Sequence, residues 1–390
     1  MPCGENPTPI ANPSPQGIGI RLPGGADLDS VTHQVTHFLL GLGLLEWCES
    51  ERITTPQGLV WRIRLREAHV SQFLPRYDAL GLRKRLTNLT RWQHEDLLIQ
   101  EICLTLFSAP TRIDFDDLED LESHIRIRRN IAQAAEKTAL AFKTGSAERP
   151  SEFWEDVPDI GFLLKPDAQL DAALIATTQP EFGGRMYDFS CCRATEYVIL
   201  LGLAQEVKST NSKLYALFED TARKLCIKSE FFNQVFLTEY GSLKEPVPTN
   251  YYVPGDRVWF KNPDEFSSNA YGYEGSWVIY LGAGRFSNFW KRDAAYTLQD
   301  KMLEIYHWRH GASLNDQSTT LMNEAVVEEE VAMTRTDLPK KERVFELMRR
   351  YRDPAGVYDK GGCIDATREF PRQLGRIANE LRRLQQPPQA

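Results

Sequence analysis

The chain has 390 residues, 42% of them hydrophobic and 26% charged, with a formal net charge of −8 and a pI near 5.6. Such a chain is long enough to bury a core without disulfide or metal staples, in two or three domains. The acidic balance excludes a nucleic-acid or anionic-membrane binder, no apolar run of spanning length is present, and the seven scattered cysteines do not form a disulfide framework.

Residues 1–24 are rich in proline and glycine and short of large apolar residues, so disorder is expected there. They carry neither the basic nor the apolar segment of a secretory signal, which makes the cytoplasm the default location, with export by another route still open. From Asp27 the pattern changes. Val31, Val35, Phe38, Leu39 and Leu42 recur at helical spacing, with Asp27, Asp29 and Ser30 as start candidates. Residues 59–65 (LVWRIRL) alternate as a half-buried strand, and a second helix is expected over about 92–107. This block, 25–110, reads as a small α+β domain without recognisable chemistry. Residues 115–143 read as one long helix whose start is loaded by Asp116 and Asp117. A mixed segment, 144–188, precedes a strongly apolar helix at 191–207 (CCRATEYVILLGLAQEV). Strands are expected at 234–240, 251–260, 276–281 and 285–289, as an antiparallel sheet. Helices follow at 294–308, 317–334 and 340–352, then a basic helical tail at 366–384.

The chemistry points to the cysteine pair. A thiol at a helix N-terminus faces unpaired backbone N–H groups and the positive end of the dipole, which favours a nucleophilic thiolate. Its base is not obvious, because none of the seven histidines falls between 125 and 306. His124, His307 or His310 would have to arrive from flanking helices; a carboxylate on the sheet, Glu274, is the more economical partner. Asp256 reads as a turn residue. His307 and His310 have the HxxH spacing of two ligands on one helix face, but no Cys, Asp or Glu matches them on that face. They read as solvated or stacked histidines, with no metal site. Gly282-Ala283-Gly284 reads as a hairpin turn, and Glu328, Glu329 and Glu330 as a solvated helix face.

Two segments carry a family resemblance. GDRVWFKNPDEF (255–266) followed by YEGSWVIYLGAGRF (273–286) resembles the core of the small bacterial protein-glutamine γ-glutamyltransferases, the calcium-independent transglutaminases best known from spore coats. Their pattern has G-D-x-x-Y/W-F-K-N-P-E/D, then W-R-G-E-N-V-I-L-L-G. IRIRRNIAQAAEKTALAF (125–142), FWEDVPDIGFLLKPDAQLDAAL (153–174) and HWRHGASLNDQSTTLMNEAV (307–326) extend the likeness more weakly, to about 113–335.

The family's nucleophile lies in an aromatic-x-Cys motif at the start of an apolar helix. YDFSCCRATEYVILLGLA matches it without a gap through Cys191, and with an insertion through Cys192. The family's partner glutamate falls on Ser276, a second glutamate on Ser190, and its histidine on Phe289 or a neighbour. Glu274, two residues before Ser276 and on the same strand face, is the displaced candidate base.

The resemblance implies a papain-like, transglutaminase-like α+β core over 111–335. A domain at 25–110 and a helical extension at 336–390 would flank it. It implies a cysteine thioester that joins glutamine to lysine on protein substrates without metal or cofactor. A glutamine deamidase or cysteine hydrolase of the same fold, or a non-catalytic binding protein, are the alternatives.

Overall fold

A computed structural model describes residues 14–89, 94–142, 147–354 and 361–385. The chain divides into two compact units, residues 1–121 and 122–390.

The first unit contains β1 (Ile18–Arg21), α1 (Leu28–Gly41), β2 (Cys48–Thr55), β3 (Gly58–Leu65), α2 (Glu67–Phe73), α3 (Leu82–Leu89), α4 (His94–Phe107) and β4 (Ile113–Phe115). The expected helix start is met: Asp27 caps α1 by accepting from the Asp29 N–H, and Val35 and Leu39 are buried. The four-stranded sheet runs β2-β3-β1-β4. The expectation of disorder over 1–24 therefore fails at its C-terminal end. Strand β1 lies inside the sheet, antiparallel to β3 and parallel to β4, with Ile18 and Ile20 buried. Composition averaged over the prolines hid a local Ile-x-Ile alternation. Residues 1–13 lie outside the described residues.

Helix α5 (Leu118–Lys137) leads into the second unit. There follow β5 (Ala141–Phe142), β6 (Trp154–Val157), β7 (Gly161–Leu164), α6 (Leu170–Thr178), β8 (Asp188–Phe189), α7 (Cys191–Thr210), α8 (Ser212–Lys224), α9 (Ser229–Phe236), β9 (Leu237–Gly241), β10 (Arg257–Lys261), β11 (Gly275–Gly282), β12 (Arg285–Phe286), β13 (Tyr296–Thr297), α10 (Leu298–Gly311), β14 (Ala312–Leu314), β15 (Thr320–Met322), α11 (Glu324–Thr336), α12 (Leu338–Met348), β16 (Thr367–Pro371) and α13 (Leu374–Gln385). The main sheet is antiparallel, in the order β13-β12-β11-β10-β16-β9. Helix α7 packs on β11. Its residues Val198 and Leu201 share one buried cluster with Ile279 and Leu281 of β11 and Ile377 and Leu381 of α13. Gly202 lets α7 approach α5 closely: a Cβ there would stand 2.5 Å from the Ile131 side chain. Gly282, Ala283 and Gly284 all take positive φ in the β11–β12 turn, as a hairpin requires.

Four expectations need correction. Residues 234–240 are the end of α9 followed by β9, and the strand expected from 251 starts at Arg257, because Pro254-Gly255 interrupts it. Helix α11 starts at Glu324, after a hairpin made by β14 and β15. The boundary at 335 is not structural. Strand β16 sits between β10 and β9, and α13 packs on the common core, so these two elements beyond 335 are not an appended extension.

Asp256 is more than a turn residue. It forms a fully buried ion pair with Arg128 at 2.8 Å, and its second oxygen accepts from the Tyr240 hydroxyl at 2.9 Å and the Val253 N–H at 2.8 Å. This joins α5 to the start of β10. Removing one member of a buried pair leaves an uncompensated charge, typically at a cost of about 3–5 kcal/mol. Arg128→Met is expected to lower the unfolding free energy by about that amount, read as a lower urea midpoint at unchanged slope.

Candidate active site

The turn from β8 into α7 is set by its own sequence. Phe189 is buried, and the Arg149 guanidinium stacks 3.6 Å from its ring centroid. Ser190 caps α7, its hydroxyl accepting from the Arg193 N–H at 3.3 Å. Cys191 is thus the first helical residue and Cys192 the second, both partly buried.

The two thiols sit in different electrostatic environments. Burial pushes the Cys191 thiol above its ordinary value. Hydrogen bonds from the Trp277 and Cys192 backbones and the charge of Lys301 pull it back, while the Glu274 carboxylate pushes it up. Cys192 is pushed up to about 11 by burial and by Glu196. Its thiol donates to Glu196 Oε1 at 3.7 Å and lies 3.6 Å from Ser229 Oγ. Glu196 is buried and paired with Arg193 at 2.5 Å. The carboxylate of Glu196 is the largest charge influence on Cys192 and holds it as a thiol, whereas around Cys191 the N–H donors and the Lys301 ammonium each outweigh the Glu274 carboxylate.

Glu274 precedes β11, the strand whose Trp277 backbone meets the Cys191 thiol. It is exposed, and its Oε1 accepts from the Gly272 N–H at 3.2 Å. Ser276, where the resemblance puts the family's glutamate, is buried on β11 opposite Phe260. Phe289 belongs to the apolar core, and its neighbour Asn288 donates to the Ala294 carbonyl at 3.0 Å.

The histidines are engaged elsewhere. His124 is buried and accepts from Arg128 Nε at 2.7 Å, and burial beside that guanidinium keeps it neutral. His307 and His310 face each other, Nδ1 to Nδ1, at 2.9 Å. Burial first, then His310, lowers His307 to about 4, so His307 is neither solvated nor charged.

Lys301 is the residue that sequence reasoning missed. It is buried, bonded to Glu304 at 2.6 Å, and its Nζ lies 3.7 Å from the Tyr296 ring centroid. Its signal was a lysine on the Leu298–Met302–Ile305 face of an otherwise apolar helix stripe. Glu304 and Tyr296 also line a cavity of about 560 Å³ with Trp290, Trp308, Glu324 and Glu328.

A thiol held above its usual range should react slowly at neutral pH and faster as alkali converts it to thiolate. Iodoacetamide alkylation of Cys191, followed by site-resolved mass spectrometry, is expected to keep accelerating above pH 9. A plateau reached below pH 7 would contradict this environment.

A family model described as protein-glutamine gamma-glutamyltransferase matches residues 82–357, more on both sides than the 113–335 that the motifs suggested. Among solved structures, a transglutaminase from Geobacillus stearothermophilus (without C-terminal extension) is 21% identical, with a TM-score of 0.38, over 55% of this chain and 97% of that chain. A search of curated proteins finds no match. The family match spans well over half of the residues, includes both cysteines, Glu274 and Lys301, and establishes that this chain belongs to the protein-glutamine gamma-glutamyltransferase family.

Proposed function

We propose that this protein is an active transglutaminase that forms glutamyl-lysine isopeptide bonds between proteins. The observation that carries the reading is the Cys191 thiol: first residue of an apolar helix, bonded by the Trp277 and Cys192 backbones and facing the Lys301 charge. Helix α7 against the antiparallel sheet is, in this reading, a papain-like core.

The reaction follows from these groups. Glu274 takes the thiol proton, and Cys191 attacks the glutamine γ-carboxamide. The Cys192 and Trp277 N–H groups hold the oxyanion of the tetrahedral intermediate. Ammonia leaves with the proton returned by Glu274, and a thioester remains. A lysine amine, giving a proton to Glu274, then displaces the thiolate and yields the isopeptide, and that proton returns to the Cys191 sulfur. The cavity beside Lys301 is lined by aromatic rings and by four carboxylates, of which Glu328 and Asp300 pair with the lining Lys291 and Arg335, and Glu304 and Glu324 suit it to an incoming cationic side chain. Acyl transfer itself needs no calcium in this scheme, because nucleophile, N–H donors and base all come from the chain. The substrates in this reading are proteins that carry glutamine and lysine side chains.

The deciding experiment supplies a labelled amine and a glutamine-rich acceptor, and follows amine incorporation and ammonia release together. Equal amounts of both support the transferase. Ammonia alone assigns a deamidase, reached through the partly exposed face of Cys191, and neither assigns a binding protein. Glu274→Gln is expected to lower turnover at least about 10²-fold with the fold intact, the usual weight of a general base. Full activity in that variant would remove Glu274 from the mechanism.

A further inference from the structure

The face-to-face pair His307 and His310 has a third donor that its own helix does not supply. Glu330, from the acidic run on α11, places Oε2 3.8 Å from His307 Nδ1. The three donor atoms lie within 4.8 Å of one another. We propose that His307, His310 and Glu330 form a binding site for one late first-row divalent cation, zinc(II) above all, which clamps α10 to α11.

The geometry fits the chemistry. Nitrogen and oxygen ligands sit about 2.0–2.2 Å from zinc, so two ligands of a tetrahedral site stand roughly 3.3–3.5 Å apart. The separations of 2.9 Å between the imidazole nitrogens and 3.8 Å to the carboxylate bracket that value, and small rotamer adjustments close the gap. The outer partner is in place as well. The Thr334 hydroxyl stands 2.9 Å from His307 Nε2; in the metal-bound tautomer it would accept the Nε2–H and leave the Nδ1 lone pair for the metal. His307 is fully buried, Glu330 partly buried and His310 exposed, so the cluster is anchored inside and open at one edge, with room for a water or an exogenous fourth ligand. The donor set of two imidazoles and one carboxylate favours zinc, cobalt, nickel or copper over magnesium or calcium. Two cations oppose the ion: Lys340 Nζ is 3.8 Å from Glu330 Oε2, and Arg309 adjoins His310. Both have exits, Lys340 into solvent and Arg309 onto Asp264 and the Tyr306 ring.

Binding would stiffen the wall of the cavity, since α10 supplies Glu304 and α11 supplies Glu324 and Glu328. It need not touch the acyl-transfer step, so its fate is separate from that of the proposed activity.

The test uses the full chain carrying Cys191→Ser and Cys192→Ser, so that neither thiol competes for metal. Zinc(II) is titrated calorimetrically and cobalt(II) by visible spectroscopy. One ion per chain is expected, with cobalt bands of low coordination number and no thiolate charge-transfer band. Zinc at 100 times its Kd should raise the melting temperature by about 5 °C or more. His310→Ala, at an exposed position, and Glu330→Gln should each weaken binding at least about 10-fold and abolish the thermal shift. Absence of binding at millimolar zinc, or unchanged binding in both variants, would leave only a hydrogen-bonded histidine pair and overturn the proposal.

Discussion

Cys191→Ala is expected to abolish amine incorporation, a loss on the order of 10³-fold or more, while Cys192→Ala keeps it within a few-fold. The two thiols are neighbours in sequence and both are raised by burial, so the distinction rests on what surrounds them. A thioester mechanism needs a sulfur whose negative charge is stabilised when it forms. Around Cys191 the Trp277 and Cys192 backbones donate to the sulfur and Lys301 contributes a positive charge. Around Cys192 the largest charge influence is Glu196, which disfavours the thiolate and uses the thiol as a donor, with Arg257 and the Ser229 hydroxyl opposing it more weakly. Covalent catalysis has no substitute when the nucleophile is removed, so alanine at the right position leaves little beyond substrate binding. Lys301→Met tests the same logic less drastically, because it removes the charge and keeps the volume. Stopped assays of labelled amine transfer, with folding checked by circular dichroism, separate these cases. If Cys192→Ala is the dead variant and Cys191→Ala the active one, the pairing of Phe189-Ser190-Cys191 with the family motif is off by one residue.

What could be read from the chain divides along physical lines. Helices α1, α4, α5 and α7 were legible because each repeats apolar residues at helical spacing over several turns. The β11–β12 hairpin was legible through its Gly-Ala-Gly turn. Strand β16 was not. TREFP is short and charged, and Arg368 is fully buried within it, so nothing in its pattern distinguishes it from the basic helix that follows. The site divides in the same way. Cys191 and Glu274 could be named as candidates because local signals mark them: a helix start and a strand start. Lys301, Glu196 and Glu330 act through partners on other elements or through burial, and spacing along the chain carries no such information. The HxxH pair shows this plainly. Its missing third donor was sought on one helix face and stands instead on α11, within a run whose composition suggested nothing but a solvated surface.

A truncated chain beginning at Gly25 is expected to lose the fold of its first unit, although the discarded segment looks dispensable by composition. Strand β1 lies between β3 and β4, so its removal breaks two ladders at once. The Ile18 and Ile20 side chains are 0% and 4% exposed, and deleting a buried isoleucine down to alanine alone typically costs about 2–5 kcal/mol. Losing both, with their backbone pairing, is comparable with the whole stability of a domain, about 5–15 kcal/mol. Strand β4 would also be left unpaired, since β1 is its neighbour in the sheet. Hydrogen exchange mapped along the chain provides the measurement. Amides of β3, β4 and α4 should lose protection in the truncated chain, while those of α7 and β11 in the second unit keep theirs. A milder pair, Ile18→Ala and Ile20→Ala, should show graded losses of about 2–5 kcal/mol each in the same unit. If the chain starting at Gly25 retained full protection in β3 and β4, the Ile-x-Ile strand would contribute no more than the proline-rich residues before it, and its place inside the sheet would be wrong.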